Sequence, residues 1–69
     1  MQNRFGTMDK VNGIPEHRVF AMKEYRRVAV CDGEHAHEEA RDEADYRRSL
    51  GDRARFVRCS KGRYAVYVR

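Results

Sequence analysis

The chain has 69 residues, of which 38% are charged and 41% apolar, and it carries a formal net charge of +4 at pH 7. A domain of this size buries only about 60% of the surface that its unfolded chain exposes, so a deep catalytic cavity is not expected. No apolar run approaches the roughly 20 residues that cross a bilayer, and the first residues lack the apolar core of a signal peptide. We therefore expect no membrane association and a cytoplasmic location.

Charge is distributed unevenly along the sequence. Residues 32–45 hold seven acidic residues and one basic residue, whereas the rest of the chain holds fourteen basic and four acidic residues. Twelve of the fifteen basic residues are Arg, which binds carboxylate and phosphate groups through paired hydrogen bonds. A protein with an acidic side and a basic side favours oriented electrostatic encounters with a partner.

Residues 1–16 show no periodicity and contain the turn formers Asn12-Gly13 and Pro15. We expect a flexible or loosely docked N-terminal arm here, followed by a single small α+β domain over residues 17–69.

The segment from Arg18 to Cys31, RVFAMKEYRRVAVC, predicts β structure because apolar residues recur at even positions. The pattern allows one long strand, or two short strands joined by a turn at Lys23-Glu24. The apolar residues predicted to share one face are Phe20, Met22, Val28 and Val30.

The stretch DGEHAHEEARDEADYRRSLG, residues 32–51, predicts the helix of the domain. Asp32 suits the N-cap because its short carboxylate can accept hydrogen bonds from first-turn amides, and Gly51 suits a left-handed C-terminal position. Glu43 and Arg47 have the i,i+4 spacing of an ion pair. The predicted inward stripe contains Ala36, Ala40, Ala44 and Leu50, flanked by Tyr46.

The last two strands, residues 54–59 and 63–68, are predicted to form a hairpin through a three-residue loop, in which Gly62 takes the left-handed position. The expected register pairs Ala54 with Val68, Phe56 with Val66 and Arg58 with Tyr64. The opposite face of the hairpin then carries Arg55, Val57, Cys59, Arg63, Ala65 and Tyr67.

These elements predict an α+β fold, with a single helix packed on one face of a small, mainly antiparallel three- or four-stranded sheet, in β-α-β-β order. The helix covers one sheet face only. The N-terminal arm, a second copy of the chain or a partner must cover the other face. Because the core is thin, a homodimer is possible.

Four residues have side chains that suit a tetrahedral zinc site, namely Cys31, His35, His37 and Cys59. Their spacing argues against it, because His35 and His37 lie about 200° apart around a helix and Cys59 stands alone. Cys31 and His35 are also candidates for a nucleophile and its base, but no orienting group accompanies them and the neighbouring acids would raise the pKa of the thiol. We expect no cofactor and no enzymatic activity.

Two charged sets are candidates for binding. Acidic residues on the outer side of the helix would dock on a basic partner, and arginines with one aromatic on the sheet would contact phosphates and stack on a base. The acidic set is Glu34, Glu38, Asp42 and Asp45, and the basic set is Arg26, Arg27, Arg55, Arg58, Arg63 and Tyr67.

Residues 27–68 resemble one βαβ half of an SPOR-type peptidoglycan-binding repeat, through RVAV at 27–30, the Ala-rich helix and GRYAVYV at 62–68. Only the hydrophobic pattern matches, so no function is transferred. In size and charge segregation the chain is similar to small phage or mobile-element accessory proteins, including anti-CRISPR inhibitors. That similarity implies an inhibitor or regulator docking on a larger protein or nucleoprotein complex. Direct nucleic-acid binding and a zinc-stabilised module are the alternatives.

Overall fold

The computed structural model describes residues 10, 11 and 13–69. Four strands, β1 (Lys10–Val11), β2 (Ile14–Pro15), β3 (His17–Phe20) and β4 (Lys23–Asp32), precede helix α1 (Ala36–Ser49), and β5 (Ala54–Ser60) and β6 (Arg63–Val68) follow it. β1 pairs with β2, and the other strands form an antiparallel sheet of order β3-β4-β6-β5. The α+β class, with one helix on a small antiparallel sheet, is confirmed. Within the described residues, no helix has the length and apolar character to cross a membrane.

The predicted β-α-β-β order is not confirmed, because β1 to β4 all precede the helix. The segment from Arg18 to Cys31, predicted to form one strand or two, forms two strands joined by a turn at Ala21 and Met22, where the backbone φ angles are 50° and 65°. This turn lies two residues before the predicted Lys23-Glu24 position. Two-residue hairpin turns with positive φ favour Asn and Gly, so Ala-Met carries no turn signal in the sequence. The predicted arm includes residues 1–9 and 12, which lie outside the described residues.

A bulge in β4 breaks the predicted alternation. The pairing of β4 with β6 shifts between Arg27 and Ala29, which leaves Val28 as an extra residue. Val28 therefore packs against the helix-side core, whereas Val30 packs on the opposite side of the sheet. Met22, predicted to share their face, lies at the β3–β4 turn and is 93% exposed. The predicted common face is therefore wrong.

The helix begins after His35, and no side chain caps its first turn. The predicted N-cap, Asp32, is the last residue of β4, where it pairs with Arg63 of β6 and accepts a hydrogen bond from its side chain. That prediction is wrong because the cross-strand partner holds Asp32 in the sheet, four residues before the helix.

The helix ends as predicted at Gly51, whose φ is +97°. The Gly51 amide donates to the Arg48 carbonyl at 3.0 Å and the Asp52 amide donates to the Arg47 carbonyl at 3.1 Å, which is the Schellman pattern. Leu50 follows the last helical residue and is 59% exposed, so its predicted inward position is wrong. The flanking Tyr46 is also exposed, at 57%.

The core has two layers, one on each side of the sheet. On the helix side the three predicted inward alanines, Ala36, Ala40 and Ala44, are buried, and their small side chains let the helix lie close to the strands. The hairpin register is confirmed at all three predicted pairs, although Ser60 pairs with Arg63 and shortens the loop to Lys61 and Gly62. The core residues on the side away from the helix are Ile14, Tyr25, Ala65 and Tyr67.

Candidate binding faces

The predicted acidic set lies on and beside the outer side of α1. Glu38, Asp42 and Asp45 have i, i+4 and i+7 spacing, and their side chains are 61–74% exposed. Glu34 precedes the helix and its side chain is 87% exposed. Arg48 donates to Asp45 at 2.9 Å. We call these four acidic residues the acidic face.

The sheet side away from the helix carries arginines laid over aromatic rings. The Arg18 guanidinium carbon lies 5.1 Å from the centre of the Phe20 ring. That of Arg55 lies 5.3 Å from the Phe20 ring and 6.0 Å from the Tyr25 ring, and that of Arg69 lies 5.8 Å from the Tyr25 ring. These are cation–π distances, which fix the guanidinium groups in place. Arg63 lines a cleft on the same side of the sheet as Arg18. We call Arg18, Arg55, Arg63 and Arg69 the arginine face.

The rings under the arginine face form an edge-to-face cluster. The Phe20 centroid lies 5.1 Å from Tyr25 and 5.7 Å from Tyr67. Hydrogen bonding from Arg55 is the largest effect on the Tyr25 phenol and lowers its pKa; burial opposes the shift, and Arg69 adds to it. This side of the sheet therefore presents positive charge above a closed aromatic layer.

Tyr67, expected as an exposed aromatic for base stacking, is fully buried. It lies on β6, one of the two inner strands of the sheet, where its ring contacts Phe20, and its hydroxyl donates to the Pro15 carbonyl at 2.7 Å. Burial raises the pKa of its phenol, a shift that the positive charge of Arg18 partly offsets. The expectation of exposure is wrong because Ile14 of β2 and the Phe20 ring at the end of β3 pack over this part of the sheet.

The other predicted basic residues do not form one surface. Arg27 is half-buried and donates from Nη1 to the Ile14 carbonyl at 2.8 Å, so it ties β2 to the sheet. Arg26 is exposed and lines a shallow cleft with Glu24, Arg47 and Arg69, at the edge of the arginine face. Arg55 and Arg63 belong to the arginine face, and Arg58 is exposed next to Cys59.

A cleft of about 280 Å³ opens at one end of the arginine face, between β2, the start of β3 and the β5–β6 turn. None of the described residues that line it is acidic. The Nε atom of Arg63 donates to Asp32, which lies outside the lining. The lining includes Gly13, Pro15, Arg18, Arg58, Cys59, Ser60, Arg63 and Tyr67.

The four residues considered as zinc ligands lie in different places. Cys31 packs on the helix-side core, whereas Cys59 lines the cleft on the other side. The centre of the His37 ring lies 5.4 Å from that of Phe56 and 5.2 Å from that of Tyr64, while His35 lies beside the carboxylates of Glu34 and Glu38. In the part of the chain that the structure describes, no three His, Cys, Asp or Glu side chains are grouped as metal ligands.

Cys31 is not placed as an activated nucleophile. Burial is the largest effect on its thiol and raises its pKa, and the carboxylates of Glu39, Glu43 and Asp32 raise it further. A raised pKa reduces the thiolate fraction at neutral pH, and the thiolate is the reactive form.

Arg18 is the main residue of the arginine face that the sequence analysis missed. The signal available was the alternation in HRVF, which puts Arg18 and Phe20 on one side of a strand. No protein-family model, curated protein or solved structure matches the chain.

Proposed function

We propose that this chain is a non-enzymatic binding module, an inhibitor or regulator that docks on a larger protein or nucleoprotein complex. The observation that supports it is the separation of charge across the fold. The acidic face lies outside α1, the arginine face lies on the far side of the sheet, and the core lies between them.

The carboxylates of the acidic face serve no purpose in the core. Asp42 is contacted by Arg41 at 3.7 Å and Glu38 by His35 at 3.3 Å, and these side chains are more than half exposed. Exposed pairs of this kind stabilise a fold by about 0–1 kcal/mol. The carboxylates therefore act by steering and orienting a basic partner through complementary charge.

The test is affinity capture from the native host with quantitative mass spectrometry, comparing the wild type with the Glu38→Gln/Asp42→Asn double variant. These substitutions preserve shape and remove two charges. Glu24→Gln, an exposed acid on β4, is the control. A partner that the double variant loses and the control retains supports the proposal. Equal capture by all three proteins means that the acidic face does not dock the partner.

The arginine face favours a second function, direct binding of nucleic acid. Four guanidinium groups lie on one side of the sheet, and in the described part of the chain only Arg63 among them forms an ion pair, with Asp32. With Tyr67 buried, binding would depend on phosphate contacts. Each such contact adds roughly 0.7–0.9 to the slope of log affinity against log salt concentration.

Fluorescence anisotropy with single- and double-stranded oligonucleotides at several salt concentrations tests this function. Four phosphate contacts predict a slope of about −3 to −4. The variant Arg18→Gln/Arg55→Gln should bind more weakly and reduce the slope by about 2. The control Lys23→Gln/Arg41→Gln removes the same charge at two exposed positions outside the arginine face. Equal losses in both double variants would reveal a response to net charge alone.

A further inference from the structure

We propose that the cleft beside the β5–β6 turn is a binding site for a phosphate monoester. It is a discrete site at one end of the arginine face, so the inference deepens the second proposed function. It does not involve the acidic face. Two arginines of the cleft are held in place, none of the described lining residues is acidic, and the space is the size of a small anion with a short organic group.

Arg63 is oriented by a carboxylate that leaves its binding atoms free. Asp32 accepts from Nε, and its side chain is 55% exposed, against 29% for Arg63. The two terminal nitrogens, Nη1 and Nη2, make no hydrogen bond within the described residues. Those are the atoms that bind two oxygens of one phosphate in the fork geometry of arginine. Asp32 therefore acts as a positioning residue for Arg63.

Arg18 is held by rings and not by an acid. Its guanidinium carbon lies 5.1 Å from the Phe20 ring and 5.9 Å from the Tyr67 ring. Stacking leaves the hydrogen-bonding edge of a guanidinium open while restricting its orientation. Across the described part of the chain, no carboxylate pairs with Arg18. Its charge beside that of Arg63 is repulsive, and an anion bound between them would relieve the repulsion.

The remaining lining suits a small anion with a short organic group. The hydroxyl of Ser60 and the backbone at Gly13 supply polar groups, while Pro15 and Tyr67 supply apolar surface. The volume of about 280 Å³ is at the lower limit of the ligand pockets found in proteins. It accommodates a phosphate and a sugar-sized group but not a folded peptide.

Charge selects a monoester over a diester. A phosphate monoester carries about −1.5 to −2 charges near pH 7, so it compensates more of the positive charge of the three lining arginines, Arg18, Arg58 and Arg63, than a singly charged ligand does. A diester within a nucleic-acid backbone carries a single charge and offers two free oxygens instead of three. The cleft should therefore prefer a terminal phosphate, which is found on small metabolites and at the 5′ end of nucleic acids.

Calorimetric titration tests the site with inorganic phosphate, adenosine 5′-monophosphate and adenosine, and anisotropy tests it with one oligonucleotide carrying a 5′-phosphate or a 5′-hydroxyl. We expect adenosine 5′-monophosphate to bind about tenfold or more tightly than adenosine, and the 5′-phosphate oligonucleotide to exceed the 5′-hydroxyl oligonucleotide by the same factor. This is the gain expected from a charge-assisted hydrogen bond. Tighter binding of the monophosphate than of the phosphorylated oligonucleotide identifies a small-molecule ligand, and the reverse identifies a nucleic-acid end.

Three variants locate the site. Arg18→Gln and Arg63→Lys should each lose about tenfold in phosphate affinity. Lys keeps the positive charge of Arg63 but cannot make the paired hydrogen bonds of a guanidinium. Arg41→Gln, at an exposed position on α1 outside the arginine face and the cleft lining, removes the same charge and should leave phosphate affinity unchanged. Thermal melting checks that each variant is folded. An equal loss in Arg41→Gln overturns the site, because only general charge would then matter.

The inference and the nucleic-acid function fail separately. Equal affinity for the 5′-phosphate and 5′-hydroxyl oligonucleotides, with no binding of the monophosphate, overturns the cleft site but leaves nucleic-acid binding by the arginine face intact. Binding of the monophosphate that Arg63→Lys weakens, without any binding of oligonucleotides, supports the cleft site and rejects the nucleic-acid function.

Discussion

Replacing Tyr67 with Phe removes one buried hydroxyl and leaves the packing of the ring unchanged. The hydroxyl donates to the Pro15 carbonyl at 2.7 Å across 52 residues of sequence. Ile14, beside Pro15, is 4% exposed and covers the sheet face away from the helix. The hydrogen bond therefore joins β6 to the segment that closes the second core layer.

The expected loss of stability is about 1 kcal/mol. A neutral hydrogen bond contributes about 0.5–1.5 kcal/mol net, because its partners bond to water in the unfolded chain. Pro15 is only half-buried, so water can reach its carbonyl and limits the desolvation cost in the variant. For a domain of 60–100 residues, 1 kcal/mol lowers Tm by about 4–8 °C.

Urea unfolding followed by circular dichroism measures the loss, with Tyr64→Phe as the control. Tyr64 lies on the same strand and is half-buried, and its hydroxyl makes no hydrogen bond within the part of the chain described. Its substitution should change the free energy of unfolding by less than about 0.5 kcal/mol. Tryptic cleavage at Arg18 should accelerate in Tyr67→Phe only. Equal losses in the two variants would refute the idea that this hydrogen bond holds β2 on the sheet.

Three further predictions concern the C-terminal end of the helix, the two thiols and the phenols of Tyr25 and Tyr67. Gly51→Ala should lower the free energy of unfolding by about 1–2 kcal/mol in urea titrations, because φ is +97° there and a Cβ is disfavoured in that region. In a thiol-reagent assay near pH 7, exposed Cys59 should react fast and Cys31 slowly, and Cys59→Ser should remove the fast phase. Tyr25 should ionise below its ordinary pKa of 10.0, so Tyr25→Phe should remove the earliest phenolate absorbance on raising the pH. Because the pKa of Tyr25 is lowered in the folded state, its ionisation stabilises the fold as the pH rises toward 10.0. The raised pKa of Tyr67 has the opposite effect: its contribution to stability is present below pH 10.0 and is lost at higher pH.

The predictable parts of the fold depend on short-range chemistry. Gly51 ends the helix because only a left-handed residue completes the Schellman pattern, and the alanine stripe follows from helical spacing. The position of a residue was predicted wrongly where a partner distant in sequence competes with a local one. Asp32 is a good N-cap by type, but Arg63 of the adjacent strand binds it instead.

The candidate faces divide in the same way. Three members of the acidic face, Glu38, Asp42 and Asp45, could be predicted because spacing along one helix determines their positions. Of the arginine face, Arg55 and Arg63 follow from the alternation of the predicted hairpin. Arg18 could not be predicted, because its strand joins the sheet through the turn at Ala21, which has no turn-forming residues. Tyr67 was placed on the correct sheet face, yet its burial depends on Ile14, which lies in a segment without periodicity.

The arginine face also contributes to the stability of the fold, so substitutions there affect stability as well as binding. The rings of Phe20 and Tyr25 have guanidinium groups lying above them, so the arginine stems cover part of a thin core. Long basic side chains stabilise folds in this way through their methylene groups while the charge stays in water. Arg→Ala substitutions on this face would therefore reduce stability and binding together. Arg→Gln keeps most of the stem, so it separates the loss of charge from the loss of packing.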